Sequence, residues 1–204
     1  MSELFIELFS EEVPAKLQIK AREQLKEILS NFFEQHSVKY KGEIRIFSTP
    51  NRIAINAKGL PKEVLFKSKE VKGPSINAPD KALDGFLNSN QIKKNKIYKK
   101  KTEKGEFYFY KKPQKKISLY NMLRENLPHI LFKITWEKSM KWGEHTLLWG
   151  RPLKSILSIF DGKKLEFDFK HLKSSNLTFI EKDREDKTKS FNNFDQYLKF
   201  FKTK

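Results

Sequence analysis

The sequence predicts an α+β fold in which mixed or antiparallel sheets pack against helices, opening strand, helix, strand, strand. Two patterns carry this expectation. Apolar residues recur every three or four positions through Leu17, Ala21, Leu25, Ile28, Leu29, Phe32 and Phe33, which marks one buried face of a long helix ending near His36. Glu43 to Ser48 and Arg52 to Ala57 then alternate apolar with polar residues across the break Thr49-Pro50-Asn51, which marks two neighbouring antiparallel strands.

The remaining elements follow in order. Leu4 to Phe9 is a short buried strand, and Ser10-Glu11-Glu12-Val13-Pro14 is a helix start. Ser10 or a neighbour is the candidate cap, the two glutamates suit the positive helix end, and Pro14 is tolerated in the first turn. Lys72-Gly73-Pro74 and Asn77-Ala78-Pro79 mark a loop before a short helix carrying Ala82, Leu83, Phe86 and Leu87. Lys96 to Lys101 and Glu106 to Lys111 form a hairpin around Thr102-Glu103-Lys104-Gly105, with Phe107 and Phe109 on one face and Tyr108 and Tyr110 on the other. Ser118 caps a third helix, which Pro128 kinks or splits. Leu153 to Phe160 and Leu165 to Phe169 flank the turn Asp161-Gly162, and Ser190 caps a final helix bearing Phe191, Phe194, Leu198 and Phe201. The chain divides into a strand-helix-strand-strand module, 1–62, and a second α+β portion, 63–204, with a basic hairpin at 93–116 and the C-terminal helix.

Composition narrows function. With 38% hydrophobic residues and 18 Phe the chain can build a core. It has no run of about 20 apolar residues that would span a membrane and no secretory signal pattern at its start. Having no Cys, it has no disulfides, Cys-bound zinc or cysteine nucleophile, and this fits the cytoplasm. The net charge of +17 calls for an anionic partner, nucleic acid first, unless most of the 36 lysines simply form a solvated surface. Residues 93–116 concentrate 11 Lys against 2 Glu, interleaved with Tyr98 and the aromatic run 107–110. Either this hairpin stacks unpaired bases and tracks phosphates, or one aromatic face is core and the lysines are its wet rim. Lysine without arginine predicts weak sequence specificity.

Catalytic signatures are missing. No glycine-rich phosphate loop occurs, and His36, His129, His145 and His171 lack ligand spacing, so no metal site is expected. Glu11 and Glu12 could form an acid–base pair, but on a helix adjacent residues diverge by about 100°, and helix-start electrostatics explains them better. Lys138-Ser139-Met140-Lys141 has the wrong order for the signature loop of class I aminoacyl-tRNA synthetases, and no ATP site is expected in this chain.

Four strings, in register, resemble the start of bacterial glycyl-tRNA synthetase β subunits. Leu4-Phe5-Ile6-Glu7 and Ser10-Glu11-Glu12-Val13-Pro14-Ala15 resemble that family's opening strand and its Gly-Thr-Glu-Glu-Leu-Pro. Thr49-Pro50-Asn51-Arg52-Ile53-Ala54 resembles Thr-Pro-Arg-Arg-Leu-Ala. Val71-Lys72-Gly73-Pro74 with Gly85-Phe86 resembles a Lys-Gly-Pro loop and its following helix. Lys138 to Gly143, with Trp142 at its end, and Arg151-Pro152-Leu153 resemble Lys-Ser-Met-Arg-Trp-Gly and Arg-Pro-Ile. Asn51 and Lys141 stand where the family has Arg, and Asn176 to Ile180 replaces its Gly-His-Arg-Phe.

The resemblance implies a non-catalytic module that supports aminoacylation of tRNA(Gly), alongside a separate α subunit that holds ATP and Mg²⁺ and activates glycine, two of each chain forming the enzyme. The family's later helical and anticodon-binding domains lie outside these residues. The alternative is a stand-alone, weakly specific RNA-binding α+β protein. Candidate RNA contacts are Arg52, Lys99, Lys100, Lys101, Lys111, Lys112, Lys141 and Arg151. Arg52 either points outward or pairs with Glu7 or Glu12, and Trp142-Gly143 is either a core anchor or a base-stacking site.

Overall fold

The computed structural model describes residues 1–66, 68–103, 105–181 and 184–203. Along the chain run β1 (Ser2–Ser10), α1 (Ala15–Gln35), β2 (Ile44–Thr49), β3 (Arg52–Leu60), β4 (Glu63–Phe66), β5 (Glu70–Ser75), α2 (Asp80–Asn90), β6 (Ile97–Thr102), β7 (Gly105–Lys111) and β8 (Lys115–Ser118). Then follow α3 (Leu119–Phe132), β9 (Leu153–Phe160), β10 (Lys163–Lys164), β11 (Asp168–Phe169), β12 (Leu172–Lys173), β13 (Leu177–Glu181), β14 (Arg184–Ser190) and α4 (Phe194–Lys202). The α+β class and the strand-helix-strand-strand opening are as the sequence predicts.

Two units result: Met1–Val64 with Ile117–Lys204, and Leu65–Lys116 between them in sequence. The division at 62/63 therefore does not match the packing. The chain leaves the first unit through β4 and returns through β8, because β9 pairs directly with β1 and draws the C-terminal half into the opening module.

The first unit is built on an antiparallel sheet of order β10-β9-β1-β3-β2, with β1 at its centre. Opposed residues in antiparallel strands share a face. The register Glu7↔Ala54, Phe9↔Arg52, Phe5↔Ile159 and Glu7↔Leu157 thus puts Phe5, Glu7, Phe9, Arg52, Ala54, Leu157 and Ile159 on one side. Phe191 and α4, through Phe194 and Tyr197, pack on that side. The opposite side carries Leu4, Ile6, Leu8, Ile53 and Ile55, all buried, and α1 lies along β2 with Leu17, Ala21, Leu25, Leu29 and Phe33 buried. Helices on both faces explain why β3 is buried at five consecutive positions, 53–57, where alternation predicts an exposed side.

Several predicted caps differ. Ser10 ends β1 and its hydroxyl donates to the Glu11 carbonyl, while α1 starts after Pro14 with no side-chain cap and no acid in its first turn. A missing cap costs about 1 kcal/mol, whereas each buried Leu or Phe contributes roughly 1.5–3 kcal/mol. Packing therefore sets where α1 begins. Ser190 belongs to β14, and α4 is capped instead by Asn193, whose side chain accepts from Gln196 N at 2.8 Å. Ser118 occupies the N-cap of α3 without a side-chain bond. Pro128 does not split α3: Leu127, Ile130 and Leu131 on either side of it are buried and hold both turns. Gly73-Pro74 is not loop but lies within β5, at a register shift between Lys72 and Ser75. Asp161 (φ 52°) and Gly162 (φ 75°) form the expected hairpin turn. Its second arm is only the two-residue β10. Leu165 and Phe167 are buried in alternation as a strand would be, but their amides bond to Ser158 O and Ser174 Oγ.

Among the described residues one carboxylate is buried inside this core. Glu7 is fully buried, and Arg52 reaches it at 2.9 Å. Thr178 Oγ1 donates to Glu7 and accepts from Arg52, while Arg52 Nη2 donates to the Phe179 carbonyl. The guanidinium lies 4.5 Å from the ring centres of both Phe9 and Phe201. Burial, and then the Glu7 carboxylate, push the Tyr197 phenol far above its ordinary range, so it stays neutral. Stripping one partner from such a pair leaves an uncompensated buried charge. Arg52→Met alone is expected to cost about 3–5 kcal/mol in urea unfolding, and Glu7→Leu combined with Arg52→Met to recover most of that. A single-variant loss below about 1 kcal/mol would show the pair to be dispensable.

Candidate nucleic-acid interface

Three of the strings singled out in the sequence meet at one end of the sheet. Ser10 N donates to Asn51 O at 2.9 Å, Glu11 N to Pro152 O at 3.0 Å and Val13 N to Pro50 O at 2.7 Å. The Asn51 side chain donates to Ser10 O at 3.2 Å, and Lys154 pairs with Glu11 at 2.7 Å. Pro50 and Pro152 lack an N–H and serve here as acceptors. Pro14 follows as the N-cap of α1, and Glu12 lies in the connecting segment, outside the helix. Glu11 and Glu12 are therefore not helix-start acids. Arg151 is half-buried and donates to its neighbour Gly150 at 2.8 Å. Arg52, placed among the RNA candidates, has its guanidinium consumed by Glu7, Thr178, Phe179 and two aromatic rings, and only 12% of its side chain is exposed. It holds the fold and presents no free charge.

The unit Leu65–Lys116 is a three-stranded antiparallel sheet, β5-β7-β6, with α2 against β5. Gly73 fits closely under α2: a Cβ there would stand 2.9 Å from the Phe86 ring, which explains why two separated parts of one string belong together. Of the predicted turn, Lys104 lies outside the described residues, and Gly105 takes φ 109°. The register places Phe107, Phe109 and Lys111 on one face with Lys72, Tyr98 and Lys100, and Tyr108 and Tyr110 on the other with Lys99. Neither sequence alternative holds whole. Phe109 is buried, but its cover includes Tyr98, stacked at 6.2 Å, and the Lys100 ammonium at 5.3 Å, while Lys72 caps Phe107 at 3.4 Å. Glu70 takes bonds from both Lys100 and Tyr98, which lower its pKa in that order. Lys99, Lys100, Lys101, Lys111 and Lys112 are all exposed. Phe107 and Phe109 are thus already covered by the chain's own cations, while Tyr98 stays exposed and Tyr108 and Tyr110 half-buried among exposed lysines. This unit holds 15 Lys, no Arg and 5 acidic residues, net +10 of the chain's +17.

The string Lys138 to Gly143 lies in a solvent-facing segment of the first unit, held by a two-way backbone bridge between Met140 and Trp149. Trp142 is 55% exposed and is not a core anchor; the buried tryptophan of this region is Trp149. The backbone turns at Gly143 with φ 55°. Lys141 is exposed beside Trp142. Sequence spacing treated the four histidines as unrelated, yet His145 and His171 stack face to face, centroids 3.7 Å apart and planes within 2°. Their separation in the chain leaves no periodic signal that could have joined them. Among the described residues no three His, Cys, Asp or Glu converge as a metal site, and no helix is long and apolar enough to cross a membrane.

Partial burial, and then the neighbouring His145, hold His171 below its ordinary pKa. The folded state therefore resists protonating it: the stack's contribution is complete above about pH 6.5, the unfolded value, and is lost as pH falls through the lowered folded value. An NMR titration is expected to find His171 titrating below that value and moving upward in His145→Ala. An unchanged His171 curve in that variant would remove His145 as a cause.

The family profile described as glycyl-tRNA synthetase beta subunit matches residues 4–204. The glycine–tRNA ligase β subunit of Rickettsia conorii is 37% identical over 197 residues, covering 97% of this chain and 29% of the relative. That of Rickettsia bellii is 38% identical over 197 residues, covering 97% and 30%, and that of Rickettsia felis is 38% identical over 179 residues, covering 88% and 27%. The chain thus spans less than a third of the length of these relatives, within which the two units and the interlocked strings at the sheet end are contained. By its match along almost its whole length, the chain belongs to the glycyl-tRNA synthetase β-subunit family.

Proposed function

We propose that this stretch is an RNA-contacting, non-catalytic module of a glycine–tRNA ligase, working in the cytoplasm beside a separate catalytic subunit. That subunit would hold ATP and Mg²⁺ and activate glycine, in an assembly of two chains of each kind, while the present residues help to hold tRNA(Gly). The observation that carries the RNA contact is the charge of the unit Leu65–Lys116: +10 on 52 residues, almost all of it on exposed lysines. Lysines act on phosphate as point charges and lack the planar fork that reads a base edge. The contact would therefore be to backbone, weakly dependent on sequence and strongly dependent on salt.

Lys99, Lys101, Lys111 and Lys112 are the main contacts in this reading. Lys100 is weaker because Glu70 already holds it at 2.8 Å. Of the other candidates Lys141 remains, Arg151 contributes little from its half-buried position, and Arg52 is withdrawn. Replacing Lys99, Lys101, Lys111 and Lys112 together by Ala is expected to weaken tRNA(Gly) binding and to flatten the dependence of log K on log salt by roughly 3 units, at about 0.7–0.9 per contact. An unchanged slope would remove this unit from the RNA interface. Glycine-dependent pyrophosphate exchange is expected to be absent without the catalytic subunit, and its appearance with this chain alone would contradict the non-catalytic half of the proposal.

A further inference from the structure

Four of the large apolar side chains exposed among the described residues fall between the last residue of α3 and Leu148, more than in any other stretch of that length. Phe132 is 62% exposed, Trp142 55%, Leu148 54% and Met140 41%. Met140 is joined by backbone hydrogen bonds in both directions to Trp149, the neighbour of Leu148. Phe132 and Leu148 line a cleft of about 350 Å³ together with Lys170. The Lys170 ammonium sits 5.1 Å from the centre of the Phe132 ring. Its neighbour His171 stacks on His145, and His145 N donates at 3.1 Å to the carbonyl of Trp142.

Exposed apolar side chains concentrated in one segment, unlike singly scattered ones, mark a candidate binding surface. Its charge selects the occupant. Lys133, Lys138, Lys141 and Lys170 are exposed along it, and the acids on the same segments are Glu137, Glu144 and Asp168. Glu137 is already engaged by Lys16 and Lys20. The surface therefore presents the Trp142 indole between the exposed Lys138 and Lys141, the complement of an unpaired oligonucleotide, whose bases stack and whose phosphates carry negative charge. A duplex buries its base faces and would leave this ring without a partner.

We propose that this surface binds a short unpaired stretch of RNA, with Trp142 as the stacking platform and Lys138 and Lys141 on the flanking phosphates. The proposal rests on the reading of the chain as an RNA-handling module, and extends it from backbone contacts in the unit Leu65–Lys116 to unpaired bases on the other unit.

Short single-stranded RNA and a blunt RNA duplex of equal charge are the probes, measured on the chain by fluorescence anisotropy, with circular dichroism reporting the fold. Stacking one base on an aromatic ring changes affinity by roughly 5- to 150-fold. Trp142→Ala is expected to weaken the single strand at least about fivefold, Trp142→Phe to retain most of the affinity, and duplex binding to stay level in both. Lys138→Ala with Lys141→Ala is expected to weaken the single strand and reduce its salt dependence. Equal single-strand affinity in Trp142→Ala overturns the proposal, while the hairpin lysine variants still decide the module reading on their own. Loss of binding to the catalytic subunit in Trp142→Ala, with single-strand affinity unchanged, would make this a protein-docking surface and also overturn it.

Discussion

The buried ion pair between Glu7 and Arg52 constrains the first unit more than any other polar interaction. A carboxylate at the centre of the middle strand, under a layer of phenylalanines, is tolerable only if its charge is matched and its lone pairs are filled. Arg52 meets the first need and Thr178 helps with the second. The same guanidinium then reaches the Phe179 carbonyl, so that β1, β3 and β13 are tied at one point although they come from opposite ends of the chain. Replacing the whole group by apolar side chains is often neutral in stability elsewhere. What the polar version adds is directional: a slipped register would leave an unpaired charge in the core.

That tie separates structural residues from the proposed RNA contacts. The strings around Glu7, Pro14, Pro50, Arg52 and Pro152 interlock by backbone hydrogen bonds and are occupied in building the sheet end. The exposed cations lie elsewhere, on the β6–β7 hairpin of one unit and on the segment of Lys138 and Lys141 in the other. An arginine in a family string looks like an RNA contact from sequence, and here it is a core residue. A tryptophan in a family string looks like core, and here it faces water. For each residue the sequence left two placements open, and the structure pairs Arg52 with Glu7 and turns Trp142 to solvent. A side chain's type indicates what it can bind, and its burial depends on which strands pair.

Much of the fold was legible because periodicity is local. The long apolar stripe of α1, the two alternating runs of β2 and β3 and the Asp161-Gly162 turn follow from spacing within a few residues. The pairing of β9 with β1 was not legible, since it joins residues about 150 positions apart, and this is why the division into units at 62/63 failed. The caps at Ser10 and Ser190 failed for a related reason: both serines have the right chemistry, but tertiary pairing extended the preceding strands through them. At the candidate interface the lysine run was plain in the sequence. The covering of Phe107 by Lys72 and the stacking of His145 on His171 were not, because each needs two distant segments brought together.

Hydrogen–deuterium exchange of the chain with and without tRNA(Gly) tests the division between scaffold and interface most directly. The account predicts slower exchange on RNA addition in residues 97–111 and 138–145, and no change in 52–57, whose amides are already held in the central sheet. Protection concentrated at 50–53, with the hairpin unaffected, would contradict it and return Arg52 to the RNA interface.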